Sequence, residues 1–200
     1  MTVGHGTAKR RRGAVLEAAI LAAVLQELGA SGYAGMSMDA VAERARVSKA
    51  SLYRRWSGKS ELIVAAVYRI LPDADEIPDT GSLRADLLVA LGDAAAQLAG
   101  PAGAGMRGIL SDALGDPGVA DELRSRRKGR GDAVMREIVR RARARGELGD
   151  GDLSPRVLEV GHAMLRHEFL FGGDVTEEYV TSLVDEVVLP ILVVTSPPAP

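Results

Sequence analysis

The sequence predicts an all-α fold of about nine helices. Aromatic residues make up only 4% of the 200 residues, whereas 46% are hydrophobic and alanine is abundant. Alanine is the best helix former, and strands favour aromatic and β-branched residues. Apolar residues also recur at helical spacing along most of the chain, and serine, threonine or proline precedes many of these segments. The absence of cysteine excludes disulfides and thiolate metal sites and is typical of a reducing compartment.

Residues 1–12 precede the first helical pattern. They include Lys9 and three arginines, show no apolar period, and are predicted to form a disordered basic arm. Such an arm either lies along DNA or only improves solubility, and both readings stay open. The first helix is then predicted to end at Gly29, with an apolar stripe formed by Leu16, Ile20, Ala23, Val24 and Leu28.

A secretory signal is the alternative interpretation of this region, because an apolar run follows the basic residues. Glu17 interrupts the approach to that run, and Gln26 and Glu27 close it. No run reaches the ~18 apolar residues that a membrane span requires. We therefore expect a cytoplasmic protein with no membrane partner.

Residues 36–60 predict two short helices joined by a tight turn. Ser37 and Ser48 are each placed as an N-cap, since a serine hydroxyl accepts from a first-turn amide. Only Arg46 and Val47 lie between the two helical patterns. Two helices joined so tightly predict a helix-turn-helix, with a small shared core of Val41, Ala45, Val47 and Leu52.

The second of these helices has an outward face that suits a DNA groove. Lys49, Ala50 and Arg54 are small or cationic, and Tyr53 lies on the same side. The major groove admits a helix between two walls of phosphate. Ser57 is predicted to cap a third helix with Lys59 in its first turn, which would bind a phosphate.

The net charge is distributed unevenly along the chain. Residues 1–59 hold 10 lysines and arginines against 4 acidic residues, a net charge of +6. Residues 60–200 hold 15 against 23, a net charge of −8. This asymmetry indicates that a polyanion binds at the N-terminal part of the chain.

The run VSKASLYRRWSGKSEL resembles the recognition helix and following helix of the TetR family of bacterial repressors. That family reads V-S-x-x-x-L-Y-x-x-F-x-x-K-x-x-L, and the resemblance covers roughly residues 13–70. Trp56 replaces the usual phenylalanine. Arg46 replaces the usual glycine, at a turn position that can require positive φ. The candidate DNA-binding residues are Ser37, Arg46, Ser48, Lys49, Ala50, Ser51, Tyr53, Arg54 and Lys59.

The resemblance implies a ligand-responsive transcriptional regulator that acts as a repressor in the manner of that family. Such a protein binds a palindromic double-stranded operator as a homodimer, and a small-molecule inducer releases it. By resemblance, the last two helices form the dimer interface, through Leu158, Gly161, Leu165, Val180, Val184, Val187 and Ile191. The inducer pocket is expected to be lined by Leu87, Leu91, Met106, Leu110 and Phe169.

The domain organisation follows from a break in the helical pattern. Residues 72–78 are acidic and flanked by prolines, which predicts a boundary between a DNA-binding domain at 13–71 and a helical regulatory and dimerisation domain at 79–195. Glycines at 100–105 are expected to let two helices approach closely. Pro190 is expected to kink or end the last helix, and residues 196–200 are expected to be a disordered tail.

Other chemistries have little support in the sequence. Glu159 and His162 give half of a carboxylate di-metal pattern, but the second half is missing. There is no Ser-His-Asp or Cys-His constellation, so we expect no enzyme activity, metal or cofactor. Two alternatives to a ligand-responsive regulator remain: an architectural DNA-binding protein without ligand control, and a helical enzyme with an accidental helix-turn-helix pattern.

Overall fold

The computed structural model describes residues 5–70, 74 and 76–197, and in these ranges the chain is helical without a strand. The all-α prediction is therefore confirmed. The helices are α1 (His5–Gly35), α2 (Met38–Arg44), α3 (Lys49–Tyr53), α4 (Lys59–Arg69), α5 (Leu83–Ala99), α6 (Pro101–Gly115), α7 (Pro117–Ala144), α8 (Pro155–Leu170), α9 (Glu177–Leu183) and α10 (Leu189–Thr195). A π-helical turn at Val184–Val188 joins α9 to α10.

The chain divides into two compact units. The first unit contains residues 1–70 and 100–122, and the second contains residues 71–99 and 123–200. The sequence had placed everything after residue 79 in one domain, whereas α6 packs with α1 and α4 in the first unit. The assignment of functions to domains stays a prediction.

Helix α1 begins at His5, eight residues before the predicted start at Gly13. Lysine, arginine and alanine are good helix formers, which explains why the helix extends into the basic segment. Residues 1–4 of the predicted arm, and the side chains of residues 5–12, lie outside the described part of the chain. The helical backbone is interrupted at Gly32, which has φ +67°.

The segment Gly13–Gly35 is apolar enough to span a membrane by length and composition, contrary to the expectation from the sequence. A core helix of a globular protein passes the same test. Here Ile20, Val24 and Leu28 are buried, and α1 packs against α4 and α6. The apolar stripe of α1 is thus part of the core of the first unit.

Glycines on α6 explain how this helix lies so close to α1 and α4. A Cβ added at Gly105 would lie 2.9 Å from Leu28 Cδ1 and 3.1 Å from Ile63 Cγ2. A Cβ at Gly108 would lie 2.0 Å from Tyr33 Cγ, inside the ring. The expected role of the glycines in a close helix approach is confirmed, although they lie within α6 and not in a loop before it.

The second unit has an apolar core that includes a buried carboxylate. Leu87, Leu91, Ile138 and Val184 are fully buried. Asp86 is also fully buried, and its Oδ1 accepts from the backbone N–H of Thr80 at 2.8 Å. Arg145 Nη2 lies 2.9 Å from the other oxygen of Asp86. Although burial favours the protonated form, these hydrogen bonds hold the pKa of Asp86 below its usual value.

Pro190 does not end the last helix, which is one of the two outcomes that the sequence predicted. The Leu189 N–H donates to the Val184 carbonyl, so the turn before the proline is one residue wider than an α-turn. Proline lacks an N–H and collides with the carbonyl four residues earlier in a regular helix. The wider turn accommodates the proline, and the chain continues helically to Thr195.

The predicted tail is ordered at its start. Ser196 is fully buried, and its carbonyl accepts from the Gly149 N–H at 3.0 Å. Its hydroxyl donates to the Gly149 carbonyl. The prediction of disorder is wrong for Ser196, and residues 198–200 lie outside the described residues.

Candidate nucleic-acid interface

The two short helices α2 and α3 form the predicted helix-turn-helix. Ser37 Oγ accepts from the Ala40 N–H at 3.1 Å, and Ser48 Oγ accepts from the Ser51 N–H at 3.3 Å. Both predicted N-caps are therefore confirmed. Each hydroxyl satisfies a first-turn amide that has no partner within its helix.

The turn between these helices requires a left-handed residue. Arg46 has φ +54°, the one non-glycine residue with positive φ in the described part of the chain. The Arg46 N–H donates to the Glu43 carbonyl at 3.0 Å, and the Val47 N–H donates to the Ala42 carbonyl at 2.9 Å. These two bonds define a Schellman ending of α2. Arg46 thus adopts positive φ at the position where the family usually has glycine.

Helix α3 and the residues that follow it have one buried face and one exposed face. Leu52 and Trp56 are buried, whereas Lys49, Ala50 and Arg54 are exposed. Tyr53 keeps 54% of its surface exposed. This segment thus presents two cations, a small residue and a phenol to solvent, while its buried side chains hold it against the rest of the unit.

Two polar side chains at α3 have partners within the protein. Lys49 Nζ lies 2.5 Å from Asp39 Oδ1 in an ion pair with both side chains more than half exposed. An exposed pair of this kind contributes little, so a phosphate can replace the carboxylate. Ser51 Oγ accepts from Arg55 Nη1 at 3.1 Å. Ser51 is only half-buried, which leaves its assignment to DNA a prediction.

An ion pair that the sequence did not predict ties α2 to α1. Glu27 is buried, and its Oε2 accepts from Arg44 Nε at 2.9 Å and from Nη2 at 2.6 Å. These hydrogen bonds, with one from Ser31, lower the pKa of Glu27. Glu27 and Arg44 lie 17 residues apart, a separation that carries no local pattern.

The start of α4 differs from the prediction. Gly58, and not Ser57, is the N-cap, and it makes no side-chain capping bond. The Glu61 carboxylate accepts instead from the Ser57 N–H at 2.6 Å. A first-turn carboxylate that reaches back in this way replaces the serine cap.

Lys59 lies in the first turn of α4, as predicted, and contacts Tyr33. Its ammonium donates to the Tyr33 carbonyl and lies 4.3 Å from the centroid of the Tyr33 ring. A cation over a phenol ring is favourable by about 0.5–2 kcal/mol. The ammonium has three donors, so this position leaves donors for an anion.

Two hydroxyls converge on one carboxylate oxygen beside Lys59. The Tyr33 hydroxyl donates to Asp112 Oδ2 on α6, and Ser60 Oγ donates to the same oxygen at 3.0 Å. Burial and the hydrogen bond to Asp112 raise the pKa of Tyr33, so the phenol stays protonated and donates. No pattern in the sequence predicts this cluster.

A pocket of about 450 Å³ opens at the same end of α4. Its lining is about as polar as it is apolar, and it consists of Ser57, Gly58, Lys59, Ser60, Glu61, Val64, Asp116, Gly118 and Val119. This pocket shares no residue with the apolar inducer pocket predicted from the sequence.

The residues predicted for the inducer pocket are distributed between the two units. Leu87 and Leu91 are fully buried in the core of the second unit, where Phe169 is also buried. Met106 is buried and Leu110 is half-buried in the first unit. Their role in ligand binding stays a prediction.

Most residues predicted for the dimer interface are occupied within the chain. Leu158, Gly161, Leu165, Val180 and Val184 are buried, and a Cβ at Gly161 would lie 3.0 Å from Leu91 Cδ1. Val187 and Ile191 are half-buried. These five side chains therefore have neighbours within the chain, and their role at a dimer interface stays a prediction. The apolar periodicity indicated burial correctly but did not identify the neighbour.

Other apolar side chains of α8 and α10 are exposed. Phe171 and Val194 each keep 80% of their surface accessible, and Met164, Leu170 and Val193 are also exposed. The sequence reasoning missed them because they lie outside the regular apolar stripes.

The Glu159–His162 pair does not form a metal site. Glu159 Oε1 lies 2.9 Å from Arg166 Nη2 in an ion pair. Burial, with a smaller effect of Arg166, lowers the pKa of His162 to about 4. Among the described residues, no group of three potential ligands could hold a metal ion.

Comparison with known proteins decides the family. Residues 20–66 match the model of bacterial regulatory proteins of the tetR family, and residues 77–187 match the tetracyclin repressor-like C-terminal domain. The chain belongs to the TetR family. It is a DNA-binding transcriptional regulator, as the members of this family are.

Relatives within the TetR family cover nearly the whole chain. The DNA-binding transcriptional repressor TetR of Mycobacteroides abscessus is 36% identical over 188 residues, which are 90% of this chain and 96% of that protein. An uncharacterized HTH-type transcriptional regulator of Mycobacterium tuberculosis is 33% identical over 178 residues, 88% of this chain and 87% of that one. The crystal structure of the TetR family transcription regulator SCO0332 superposes with a TM-score of 0.72 at 27% identity, covering 86% of this chain and 96% of that chain.

Proposed function

We propose that this chain is a homodimeric, cytoplasmic repressor that binds a palindromic operator and is released by a small-molecule inducer. The proposal is supported chiefly by the two faces of the α3 segment. Lys49, Ala50 and Arg54 are exposed to solvent, whereas Leu52 is fully buried. A recognition helix requires both features, because its base must be rigid and its outer face must be free.

The free face of α3 divides into two kinds of DNA contact. Lys49 and Arg54 are long cations that reach base edges in the major groove, and each discriminates by about 1–3 kcal/mol where it binds a base. Ala50 leaves room for the helix to approach the groove floor. The phosphate contacts come from Ser37, Arg46, Ser48, Ser51, Tyr53 and Lys59, which position the helix without reading sequence.

The dimer follows from the exposed apolar side chains of the second unit. Phe171 and Val194 would be covered by a second copy of the chain, with Val187 and Ile191 at the margin. Burial of apolar surface favours association by about 25 cal/mol for each Å² removed from water. A two-fold dimer presents two α3 helices, which is why the operator is expected to be palindromic.

This interface is tested by two aspartate substitutions. Val194→Asp places a charge on an exposed position and is expected to give folded monomers with weak operator binding. Val184→Asp places the charge in the core of the second unit and is expected to unfold it. Sedimentation measures the first effect, and circular dichroism separates it from the second. A Val194→Asp protein that remains a dimer would place the interface elsewhere.

The inducer is proposed to be uncharged or weakly polar. The candidate lining residues of the second unit, Leu87, Leu91 and Phe169, are apolar, and apolar pockets favour such ligands. An inducer must bind the arrangement that does not bind DNA more tightly, since equal affinity for both arrangements shifts nothing. Screening uncharged ligands against the protein–operator complex tests this, and release of DNA is the expected result.

The operator itself is testable without knowledge of the regulated genes. Selection from a pool of random duplexes is expected to enrich inverted repeats whose half-sites are about 34–36 Å apart. Binding is expected to weaken steeply with salt, because the basic first 59 residues displace counterions from phosphates. Enrichment of single half-sites would contradict the dimer model. An architectural protein would give no preferred sequence.

A further inference from the structure

A series of contacts through Tyr33 connects α6 to Lys59 on the candidate DNA-binding face. The Tyr33 hydroxyl donates to Asp112 on α6, and the Tyr33 ring lies against Gly108 on the same helix. The carbonyl and ring of Tyr33 in turn hold the Lys59 ammonium. Each of these contacts lies within the first unit.

We propose that Asp112 is a positioning residue for DNA binding, which holds Lys59 ready for a phosphate through Tyr33. The inference rests on the proposed function, in which Lys59 contacts phosphate. Asp112 itself does not touch DNA in this scheme. It fixes the phenol ring over which the ammonium lies, and Ser60 adds a second bond to the same carboxylate oxygen from the first turn of α4.

The physical reason is preorganisation. A free lysine side chain loses much of its rotamer entropy when a phosphate immobilises it. Lys59 is already restricted by Tyr33, so less freedom remains to be lost on binding. One of the three ammonium donors points to the Tyr33 carbonyl, and the others remain for a phosphate. Release of the Tyr33 ring would remove this restriction.

A second consequence is that the position of α6 affects DNA affinity. Asp112 and Gly108 lie on α6, one turn apart, and both define the position of the Tyr33 ring. A shift of α6 that separates Asp112 from Tyr33 would therefore release Lys59.

The sign of the expected effect distinguishes positioning from general electrostatics. Removal of a carboxylate from a DNA-binding unit strengthens binding when only net charge matters. We expect the opposite for Asp112→Ala, with binding weakened by about three- to tenfold. Asp112→Asn removes the same charge but keeps an acceptor for both hydroxyls, and is expected to bind as tightly as the unaltered protein or more tightly.

The experiment is a double-mutant cycle on the full-length protein, with a duplex of random sequence at low salt as the probe. This probe reports phosphate contacts and needs no known operator. The affinity for the duplex is measured for Asp112→Ala and Lys59→Ala singly and together. Tyr33→Phe removes the same Tyr33–Asp112 hydrogen bond from the other side. Ser111→Ala, at the exposed neighbouring position of α6, is the matched control. Thermal unfolding establishes that each variant is folded, and Tyr33→Phe replaces Asp112→Ala if the latter unfolds.

The expected result is that Asp112→Ala and Tyr33→Phe weaken binding only when Lys59 is present. In the Lys59→Ala background, each is expected to change the affinity by less than about twofold. If Lys59→Ala weakens binding but Asp112→Ala and Tyr33→Phe do not, the positioning role is overturned while the phosphate contact stands. Equal losses in both backgrounds also overturn it. If Lys59→Ala has no effect on any duplex, the phosphate contact in the proposed function is itself wrong.

Discussion

Helices α2 and α7 end in the same way, one in each unit of the chain. At the end of α7 the Gly146 N–H donates to Arg143 and the Glu147 N–H donates to Ala142, the same two bonds that close α2 at Arg46 and Val47. Gly146 has φ +77°, and Arg46 has φ +54°. The backbone is the same, but the residue in the left-handed position differs.

This difference has an energetic cost at Arg46 and none at Gly146. A left-handed conformation costs a non-glycine residue roughly 1–2 kcal/mol, and glycine adopts it freely. Gly146 is followed by Glu147, whose Oε1 lies 2.6 Å from Arg145 Nε in an ion pair. The other oxygen of Glu147 accepts from the backbone N–H of Leu83, the first residue of α5, at 2.7 Å. Arg46 is exposed, on the unit that is proposed to bind DNA. The second unit uses its turn for stability, whereas the first accepts strain and presents a cation.

The largest expected effect comes from disrupting the ion pairs around the turn in the second unit. Asp86→Ala removes a fully buried carboxylate and leaves Arg145 and the Thr80 N–H without this acceptor. We expect the free energy of unfolding to fall by about 3 kcal/mol. The matched control is Asp79→Ala, which removes a half-exposed partner of the same Arg145 and is expected to cost at most about 1 kcal/mol. Denaturant unfolding measures both, and equal losses would show that burial does not decide the effect.

The next effect is expected when Gly146, in the turn after α7, is replaced by arginine, the residue that stands at the corresponding position after α2. Gly146→Arg is expected to lower the free energy of unfolding by about 1–2 kcal/mol, because the backbone there has positive φ. A Cβ at Gly146 meets no atom within 4 Å, so steric conflict does not contribute. Gly115→Arg tests the same change where space is also open but φ is not positive. A Gly146→Arg protein as stable as the original would contradict the cost assigned to Arg46.

The reciprocal change, Arg46→Gly, is expected to act on stability and DNA binding in opposite directions. Relief of the left-handed conformation raises stability by about 0.5–1 kcal/mol, after allowance for the greater freedom of glycine in the unfolded chain. Loss of the cation weakens binding to all duplexes alike and lowers the salt slope by about one unit. Arg46→Lys keeps the charge and the strain, and is expected to retain both properties. Changed base preference would show that Arg46 reads sequence.

The last expected effect appears only at acidic pH and belongs to the second unit. Burial lowers the pKa of His162 to about 4, below its ordinary value of about 6.5. A histidine with a lowered pKa contributes stability above pH 6.5, and this contribution is lost as the pH falls towards 4. His162→Phe is expected to reduce the pH dependence of unfolding between these values and to leave it unchanged above pH 7. Identical pH profiles would show that His162 becomes solvated.

The sequence predicted local features better than it predicted neighbours. The caps Ser37 and Ser48 are each determined within a few residues, and both were predicted, whereas the conformation of Arg46 was left open. The cap of α4 was missed because Ser57 and Gly58 are both acceptable N-caps, and the choice depends on Glu61 reaching back. Val184 was correctly expected to be buried, but a stripe of apolar residues does not reveal whether it packs within the chain or against a partner.

The contacts of α6 with α1 and α4 could not be predicted from the sequence. Tyr33 and Asp112 lie 79 residues apart in sequence, and no pattern joins them. The glycines of α6 were recognised as a sign of close approach, but the partners Leu28 and Ile63 are known only from the structure. The resemblance to TetR proteins supplied Lys59, whereas the residues that hold Lys59 come from packing.

The membership of α6 in the first unit has a consequence for synthesis. Leu28 and Ile63 meet Gly105, so the core of the first unit is incomplete until α6 joins it. A growing chain emerges from the ribosome N-terminus first, at about 5–20 residues per second. The helix-turn-helix is therefore made several seconds before the last helix that completes its own unit, and all of α5, which belongs to the other unit, is translated in the interval. A gene fragment that stops at residue 70 would encode the DNA-reading face without the helix that closes its core.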